Sequence, residues 1–268
     1  SRSRRHHMVL LSSTVIGLAT ATTLWNEDRL ARNGRSSLES ELKAIDENWE
    51  SDMESAATAL ASLAAEHPNN PEILWRRARV AYNIGFAIKD TNAKKRRFEE
   101  AMDFCTEALR YGANISAAHK WYAIVLSEIS GLQGTKASIQ SSYEVKEHFD
   151  RAAELDPSDP NCWHFLGRWS FTIASIGWWS RQAAAAIFAT PPESSFEEAL
   201  GFFEKAEAIR PGFWKANNLF MAKCHQSLGN TEKALEWLQK ANSLPTNTAE
   251  DIQTQKEVGE LLEKLSKK

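Results

Sequence analysis

One spacing of residues recurs five times along this 268-residue chain and constrains its fold more than any other feature. A small residue is followed four positions later by a larger one, three positions after that by another small or apolar one, and in most cases then by a proline. The positions are Ala56, Leu60, Leu63 and Pro68; Ala101, Cys105, Ala108 and Ala113; Val145, Phe149, Ala152 and Pro157; Ala199, Phe203, Ala206 and Pro211; and Ala234, Leu238, Ala241 and Pro245. Small residues let two helices approach closely, the larger residue fills the space between them, and proline ends the second helix. The spacing therefore predicts a series of helix pairs.

The fourth occurrence also carries the first half of a known repeat. Trp163, Leu166 and Gly167 match the opening W-x2-L-G of the tetratricopeptide repeat, and the recurring spacing matches its second half. Each helix pair leaves an apolar face that only a neighbouring pair can cover, so such pairs stack. We therefore predict an all-α fold, a right-handed superhelical solenoid of tetratricopeptide-like helix pairs with enlarged insertions and a C-terminal capping helix.

The repeats divide the chain into an N-terminal segment, residues 1–35, and a repeat domain, residues 36–268. The helix pairs are expected near residues 37–70, 71–115, 116–159, 160–213 and 215–248, and the capping helix over residues 249–266. The second to fourth pairs exceed the usual 34 residues, and the added residues fall between the two helices of each pair. In the fourth pair, a serine-glutamate capping box at Ser194 predicts the start of the second helix.

The N-terminal segment begins with arginines and contains a weakly apolar stretch, residues 8–25. This stretch is long enough to span a bilayer. An Arg-rich and Ser-rich start without acids also fits a mitochondrial targeting segment. Membrane anchoring by residues 8–25, a targeting segment and a disordered chain end therefore remain alternative interpretations.

Charge is distributed unevenly, although the net charge of the chain is only −3 and disfavours a nucleic-acid partner. Residues 76–97 carry eight bases and one acid, and residues 39–66 carry eight acids and one base. The dense basic segment can meet an anionic polymer, or it can be neutralised by the acidic segment. The candidate contact residues are Arg76, Arg77, Arg79, Lys89, Lys94, Lys95, Arg96 and Arg97.

Two other groups of residues are candidates for binding a ligand. One lies on the first helix of the third pair, because first helices line the concave face of such repeats. The other is an aromatic and cationic insertion in the fourth pair. For the aromatic residues core packing is the alternative, because tryptophan is usually mostly buried. The groove candidates are His119, Lys120, Tyr122, Trp178, Trp179 and Arg181.

The sequence carries no recognisable catalytic or metal-binding motif. It has no Gly-rich phosphate loop, no G-x-S-x-G and no H-E-x-x-H, and its three cysteines are not paired at zinc spacing. We therefore predict a protein that is not an enzyme and that takes no cofactor or metal ion. The isolated cysteines also favour a reducing compartment.

Several longer strings are more specific than the repeat. They are LWRRARVAYNI (74–84), HKWYAIVLSEI (119–129), KEHFDRAAELDP (146–157), a segment ending in FATPP (178–192) and FEEALGFFEKAEAIRP (196–211). Over about residues 37–265 the chain resembles the regulator of microtubule dynamics family. The resemblance implies a cytosolic helical-repeat protein that associates with microtubules and spindle poles. Some relatives carry an N-terminal membrane segment on the mitochondrial surface, and one has a repeat domain that holds phospholipid.

The sequence supports three hypotheses of function, in the following order. The first is a non-enzymatic microtubule-associated protein of the cytoplasm and spindle, with tubulin bound by the eight bases. The second is a membrane-anchored domain at the mitochondrial surface that binds or transfers phospholipid. The third is a peptide-binding adaptor, which ranks last because the corresponding first-helix positions are mostly apolar or neutral.

Overall fold

The structure, a computed structural model, describes residues 37–176 and 192–267. These ranges contain helices joined by turns and no strand, so the all-helical fold predicted from the sequence is confirmed for this part of the chain. In chain order the helices are α1 (37–48), α2 (Met53–Glu66), α3 (Pro71–Ala87), α4 (Thr91–Tyr111), α5 (Ser116–Gln133), α6 (Thr135–Leu155), α7 (Pro160–Ala174), α8 (Phe196–Ile209), α9 (Lys215–Ser227), α10 (Thr231–Ser243) and α11 (Ala249–Ser266).

The described residues divide into two compact units, with the boundary between residues 59 and 60. In the described part of the first unit, Leu42 and Ala56 are buried. The Asp52 carboxylate lies at the start of α2 and accepts hydrogen bonds from the backbone N–H and the hydroxyl of Ser55, at 3.0 and 2.7 Å. These hydrogen bonds lower the pKa of Asp52, because they favour its charged form.

In the second unit the helices pack as consecutive pairs, α3 with α4, α5 with α6, α7 with α8, and α9 with α10. The first helix of each later pair also packs against the second helix of the pair before it, and α11 packs on α9 and α10. Packed helices joined by a short turn run antiparallel, as α5 and α6 do. The second unit is therefore a stack of helix pairs closed by a last helix, as expected for repeats of this kind.

The recurring residues of the sequence lie inside these pairs. Ala101, Ala199 and Ala234, at the small positions, have no exposed surface. Phe203 and Leu238, at the large positions, are equally buried. The spacing thus marks where the two helices of each pair meet.

Gly167 allows an especially close approach of α7 to α8. A Cβ atom at this position would lie 2.6 Å from a ring carbon of Phe203, well inside the distance at which carbon atoms attract one another. The matching position of the other pairs is a buried alanine, as at Ala78, Ala123 and Ala222. The fourth pair therefore has no methyl group on α7 at the point where the Phe203 ring of α8 packs.

The start of α8 corrects the predicted capping box by one residue. The hydroxyl of Ser195, not that of Ser194, accepts the hydrogen bond from the backbone N–H of Glu198, at 3.1 Å. The helix begins at Phe196, whose ring lies 5.3 Å from that of Phe171 on α7. This ring contact places the first helical residue directly after Ser195.

The residues added to the second and third pairs form additional helical turns. The helices α3 and α4 have 17 and 21 residues, and α5 and α6 have 18 and 21, whereas α9 and α10 have 13 each. A single residue, Gly134, joins α5 to α6 with a φ of 99°, a conformation open to glycine. The added length is therefore helix rather than loop.

The three cysteines of the chain, Cys105, Cys162 and Cys224, are buried free thiols. Burial raises the pKa of all three, and brings those of Cys162 and Cys224 to about 12. Cys105 and Cys224 therefore act as apolar packing groups of the helix pairs. The Cys162 thiol is also buried, and it donates to the Asp159 carboxylate at 3.6 Å.

None of the described helices is long and apolar enough to cross a membrane. The weakly apolar stretch at residues 8–25 lies outside the described residues.

Candidate functional site

Two of the eight candidate bases, Arg76 and Arg79, lie beside the ring of Trp75 on α3. Their guanidinium carbons are 4.1 and 5.2 Å from its centre. The Arg76 guanidinium also forms an ion pair of 2.9 Å with Glu72, and its side chain is only 12% exposed. Arg79 is buried. Both cations are thus held in contacts within the protein.

Arg77 is held in a similar way on the other side of α3. Its guanidinium carbon lies 4.0 Å from the ring centre of Phe104 on α4. Burial lowers the pKa of Arg77, and the nearby Glu100 carboxylate opposes that shift. The three arginines of α3 therefore present much less charge to a partner than their number in the sequence indicates.

The other five candidate bases surround the connection between α3 and α4. We name residues 86–97 the cationic turn. Phe86 is 57% exposed, and the Lys94 ammonium lies 5.5 Å from the centre of its ring. Lys89, Lys95 and Arg96 are exposed. The turn therefore presents an aromatic ring among four cations.

Two cations of the cationic turn contact carboxylates on the next turn of α4. Lys95 lies 3.7 Å from Glu99, and Arg97 lies 2.7 Å from Glu100. All four side chains are between 41% and 53% exposed. Exposed ion pairs contribute only about 0–1 kcal/mol each, so an external carboxylate can replace the internal one at little cost.

The groove candidates on α5 lie against α6 and the start of α7. The Tyr122 hydroxyl donates to the Glu144 carboxylate at 2.7 Å. The Lys120 ammonium donates to Asp159, the capping residue of α7. Burial alone would raise the pKa of Asp159, but the charge and hydrogen bond of Lys120, together with hydrogen bonds from Asn161, lower it. Lys120 thus joins two helix pairs.

His119 is paired with a second histidine on α6. The Nδ1 atoms of His119 and His148 are 3.0 Å apart, and the His119 Nε2 is 3.0 Å from the carbonyl of Ala113. A carbonyl only accepts, so the neutral His119 carries its proton on Nε2 and accepts from His148. Burial and the charge of His119 lower the pKa of His148. These contacts hold α5 to α6 and to the turn before α5.

The remaining groove candidates, Trp178, Trp179 and Arg181, lie outside the described residues. Within the described ranges, no three His, Cys, Asp or Glu side chains are arranged to hold a metal ion.

A second group of polar residues comes from the first helices of three successive pairs and from the last helix. We name Tyr82, Glu128, Arg168 and Glu250 the inner polar cluster; they come from α3, α5, α7 and α11. The Arg168 guanidinium carbon lies 4.5 Å from the ring centre of Phe220. Among the described residues this guanidinium forms no direct ion pair. The groups that act on it electrostatically are those of the cluster and Glu257 of α11.

Partial burial changes the acidity of Tyr82, Glu128 and Arg168, and Glu250, which is exposed, is coupled to them. Burial lowers the pKa of Arg168, against the charge of Glu250. Burial raises the pKa of Glu128 and of Glu250, against the charge of Arg168. Burial and the neighbouring Glu128, which accepts a hydrogen bond from the Tyr82 hydroxyl, raise the pKa of Tyr82. The cluster is thus an electrostatically coupled group of side chains.

This cluster was not predicted from the sequence, although a sequence signal for its cation is present. Arg168 directly follows Gly167, the small residue of the repeat motif. Arg79 and Lys223 follow Ala78 and Ala222, the matching small residues of two other pairs. Aligning the repeats on this position would have shown a basic residue in three of four pairs, rather than mostly apolar or neutral ones.

Comparison with known proteins agrees with both the strings and the fold. The family model for regulator of microtubule dynamics proteins 1 to 3 matches residues 40–266. The chain belongs to this family. Regulator of microtubule dynamics protein 1 from Bos taurus is 40% identical over 199 residues, which are 74% of this chain and 62% of that protein. Protein 3 from Xenopus laevis is 37% identical over 194 residues, 72% of this chain and 42% of that protein.

This member of the regulator of microtubule dynamics family spans less than two thirds of the length of these relatives. The resemblance drawn from the strings is confirmed. A solved tetratricopeptide-repeat protein from Thermus thermophilus superposes with a TM-score of 0.58 at 13% identity, over 84% of this chain and 98% of that one. That similarity supports the repeat fold alone.

Proposed function

We propose that this chain is a non-enzymatic microtubule-associated protein that acts on microtubule dynamics through its repeat domain, in the cytoplasm and at the spindle. The observation that carries the proposal is the cationic turn, found in a chain whose family is named for microtubule regulation. The microtubule surface is acidic, and exposed cations are attracted to it over distances of about one Debye length. Tubulin is therefore the proposed partner.

The placement of the bases narrows the proposed contact. Arg76, Arg77 and Arg79 are held against rings of the protein, whereas Lys89 and Arg96 are exposed. The eight bases of the sequence-based hypothesis thus reduce to the cationic turn as the surface available to tubulin.

Co-sedimentation of the full chain with polymerised microtubules tests the proposal. The wild type is expected to pellet at low salt and much less at about 0.15 M ionic strength, where the Debye length is about 8 Å. The turn variant carries Lys89→Glu, Lys95→Glu and Arg96→Glu and is expected to bind about 10-fold more weakly at low salt. If the wild type fails to pellet at low salt, direct binding is wrong.

A control variant separates local from overall charge. Lys256→Glu, Lys264→Glu and Lys267→Glu change the net charge by the same amount at exposed positions at the C-terminal end of the chain. This variant, the C-terminal control, is expected to pellet nearly as the wild type does. Equal loss in both variants would show that net charge, and not the cationic turn, controls binding.

A second candidate function is that of a membrane-anchored domain at the mitochondrial surface, which binds or transfers phospholipid. The observation that favours it is the inner polar cluster, where the Arg168 cation lies on the ring of Phe220 without a direct ion pair among the described residues. A cation within an aromatic site suits an anionic head group with apolar chains. Organic extraction of the purified protein followed by mass spectrometry tests it. Phospholipid that is recovered from the wild type and lost in Arg168→Met would support it, and a blank would argue against it.

A further inference from the structure

The cations of the cationic turn point in several directions around α4. Consecutive residues of a helix are separated by about 100° around its axis. Phe98, in the second turn of α4, is 1% exposed and defines the inward side of the helix. Relative to it, Arg96 lies on the opposite side, and Lys95 and Arg97 lie on the two flanks. Lys89 precedes the helix in the connection itself.

This distribution does not suit a rigid, flat partner. A flat surface can contact one side of a helix at a time, so it would meet one or two of these cations. A flexible acidic chain can follow the exposed half of the helix and contact the cations in turn. The number of contacts, and with it the salt dependence, is then larger for a flexible partner.

The existing ion pairs show that the turn is able to accept carboxylates at close spacing. Lys95 and Arg97 contact Glu99 and Glu100, which are adjacent residues of α4. The protein thus supplies two consecutive carboxylates of its own to this surface. A glutamate-rich segment offers the same groups in a row and competes with weak, exposed pairs.

Phe86 adds a contact that charge alone does not provide. Its ring is 57% exposed and lies beside the Lys94 ammonium. An apolar or aromatic residue in the acidic partner can cover this ring while neighbouring carboxylates reach the lysines. The surface therefore fits an acidic segment that includes at least one apolar side chain.

We propose that the cationic turn binds a flexible, glutamate-rich tail, of the kind that projects from the microtubule surface, rather than the folded body of tubulin. This inference rests on the proposed function and names the part of the partner that is recognised. Charge at Lys89, Lys95 and Arg96 sets the salt dependence of binding. Phe86 contributes affinity that persists when salt screens the charges.

Microtubules with and without their acidic tails test the inference. The full chain is pelleted with intact microtubules and with microtubules trimmed by limited subtilisin digestion. The wild type is expected to bind trimmed microtubules about 10-fold more weakly, and there the turn variant and the wild type should bind alike. Equal binding of the wild type to both preparations, with the turn variant still weaker, would place the contact on folded tubulin and overturn the inference.

A peptide experiment keeps the inference separate from the proposed function. A fluorescent glutamate-rich peptide with one tyrosine is titrated with wild type, turn variant, Phe86→Ser and the C-terminal control, and anisotropy is followed. Binding by the wild type and the control, with the turn variant about 10-fold weaker and Phe86→Ser about 3-fold weaker at moderate salt, supports the inference. Absence of peptide binding by the wild type overturns it, whether or not the protein pellets with microtubules.

A membrane is the other anionic surface that an aromatic and cationic turn could meet. The same four proteins are therefore mixed with vesicles that contain about 30% phosphatidylserine, since each lysine near such a surface is attracted to it. Vesicle binding that depends on the turn, without binding of the peptide, would overturn the inference in favour of a lipid surface.

Discussion

The cationic turn and the inner polar cluster are built from the same chemical groups and behave differently. In both, a cation lies beside a phenylalanine ring, Lys94 at 5.5 Å from Phe86 and Arg168 at 4.5 Å from Phe220. At the turn the ring and most of the cations face solvent. In the cluster, burial lowers the pKa of Arg168 and raises that of Glu128. Enclosure, and not residue type, decides whether a charge is screened by solvent or coupled to its neighbours and to the stability of the fold.

Acid should lower the free energy of unfolding more than any single substitution at the cationic turn, because of a buried histidine near the inner polar cluster. His164, one helical turn before Arg168 on α7, is completely buried, and its Nδ1 lies 3.0 Å from the side-chain Oδ1 of Asn217. Burial, with a smaller contribution from the charge of Arg168, lowers the pKa of His164 to about 3. The unfolded chain binds this proton near pH 6.5 and the folded protein only near pH 3. Stability is therefore lost as the pH falls below about 6.5.

Urea unfolding at pH 6.5 and pH 4.5 measures this effect. Between pH 6.5 and pH 4.5 the free energy of unfolding of the wild type is expected to fall by about 2–3 kcal/mol more than that of His164→Gln. The reason is that each pH unit between the two pKa values of His164 costs about 1.4 kcal/mol. The turn variant should follow the wild type. Parallel losses in wild type and His164→Gln would mean that His164 is not the buried neutral group described.

The close packing of α7 on α8 predicts the next effect. Gly167→Ala places a methyl group against the ring of Phe203 and is expected to lower the free energy of unfolding by about 1–3 kcal/mol. Gly201→Ala is the matched control, because no atom lies within 4 Å of its Cβ position and alanine favours a helix. That variant should gain about 0.5–1 kcal/mol. Urea denaturation measures the change in the free energy of unfolding of each variant. Changes of the same sign would contradict the close packing of Gly167 against Phe203.

Removal of the enclosed cation should have a smaller and pH-dependent effect. Arg168→Met leaves Glu128 and Glu250 without their compensating charge and is expected to cost about 1–2 kcal/mol at pH 7. Both carboxyls have raised pKa values in the folded protein, so protonation there relieves the cost as the pH falls. The decrease in the free energy of unfolding caused by Arg168→Met should therefore be smaller at pH 5 than at pH 7. The decrease caused by Lys94→Met should be small at both pH values. A loss that grows on acidification would contradict the coupling of Arg168 to the two glutamates.

Substitutions at the turn should have the smallest effects on stability. Phe86→Ser and Arg96→Glu alter exposed side chains, so each is expected to change the free energy of unfolding by less than about 0.5 kcal/mol. A thermal melt beside the binding experiments checks this. A large loss in either variant would show that the turn is part of the core, and its comparison with the cluster would no longer hold.

Local spacing predicted the helix pairs because each pair is specified by residues close in sequence. Ala199 and Phe203 are four positions apart on one helix, and both proved completely buried. The strings that indicated the family were likewise continuous segments. The start of α8 was misplaced by one residue, because Ser194 and Ser195 have the same capping chemistry and only the contact of Phe196 with Phe171 distinguishes them.

The functional surfaces were harder to predict because they depend on contacts between helices. Arg77 counted as surface charge in the sequence, but Phe104, which covers it, is 27 residues away on α4. Tyr82 and Glu250 belong to the first and last helices of the inner polar cluster, and no local pattern connects them. The exposed part of the basic segment became visible only when the ring contacts of α3 were known.

The buried thiols have a consequence for the chemistry of the whole chain. Thiolate is the form that reacts with oxidants and alkylating agents, and burial disfavours it at Cys105, Cys162 and Cys224. Since these are all the cysteines in the sequence, the thiols of the native protein should resist peroxide and maleimide at neutral pH. A single cysteine introduced at an exposed position would then be the one site of labelling, and reaction at the native three would report unfolding.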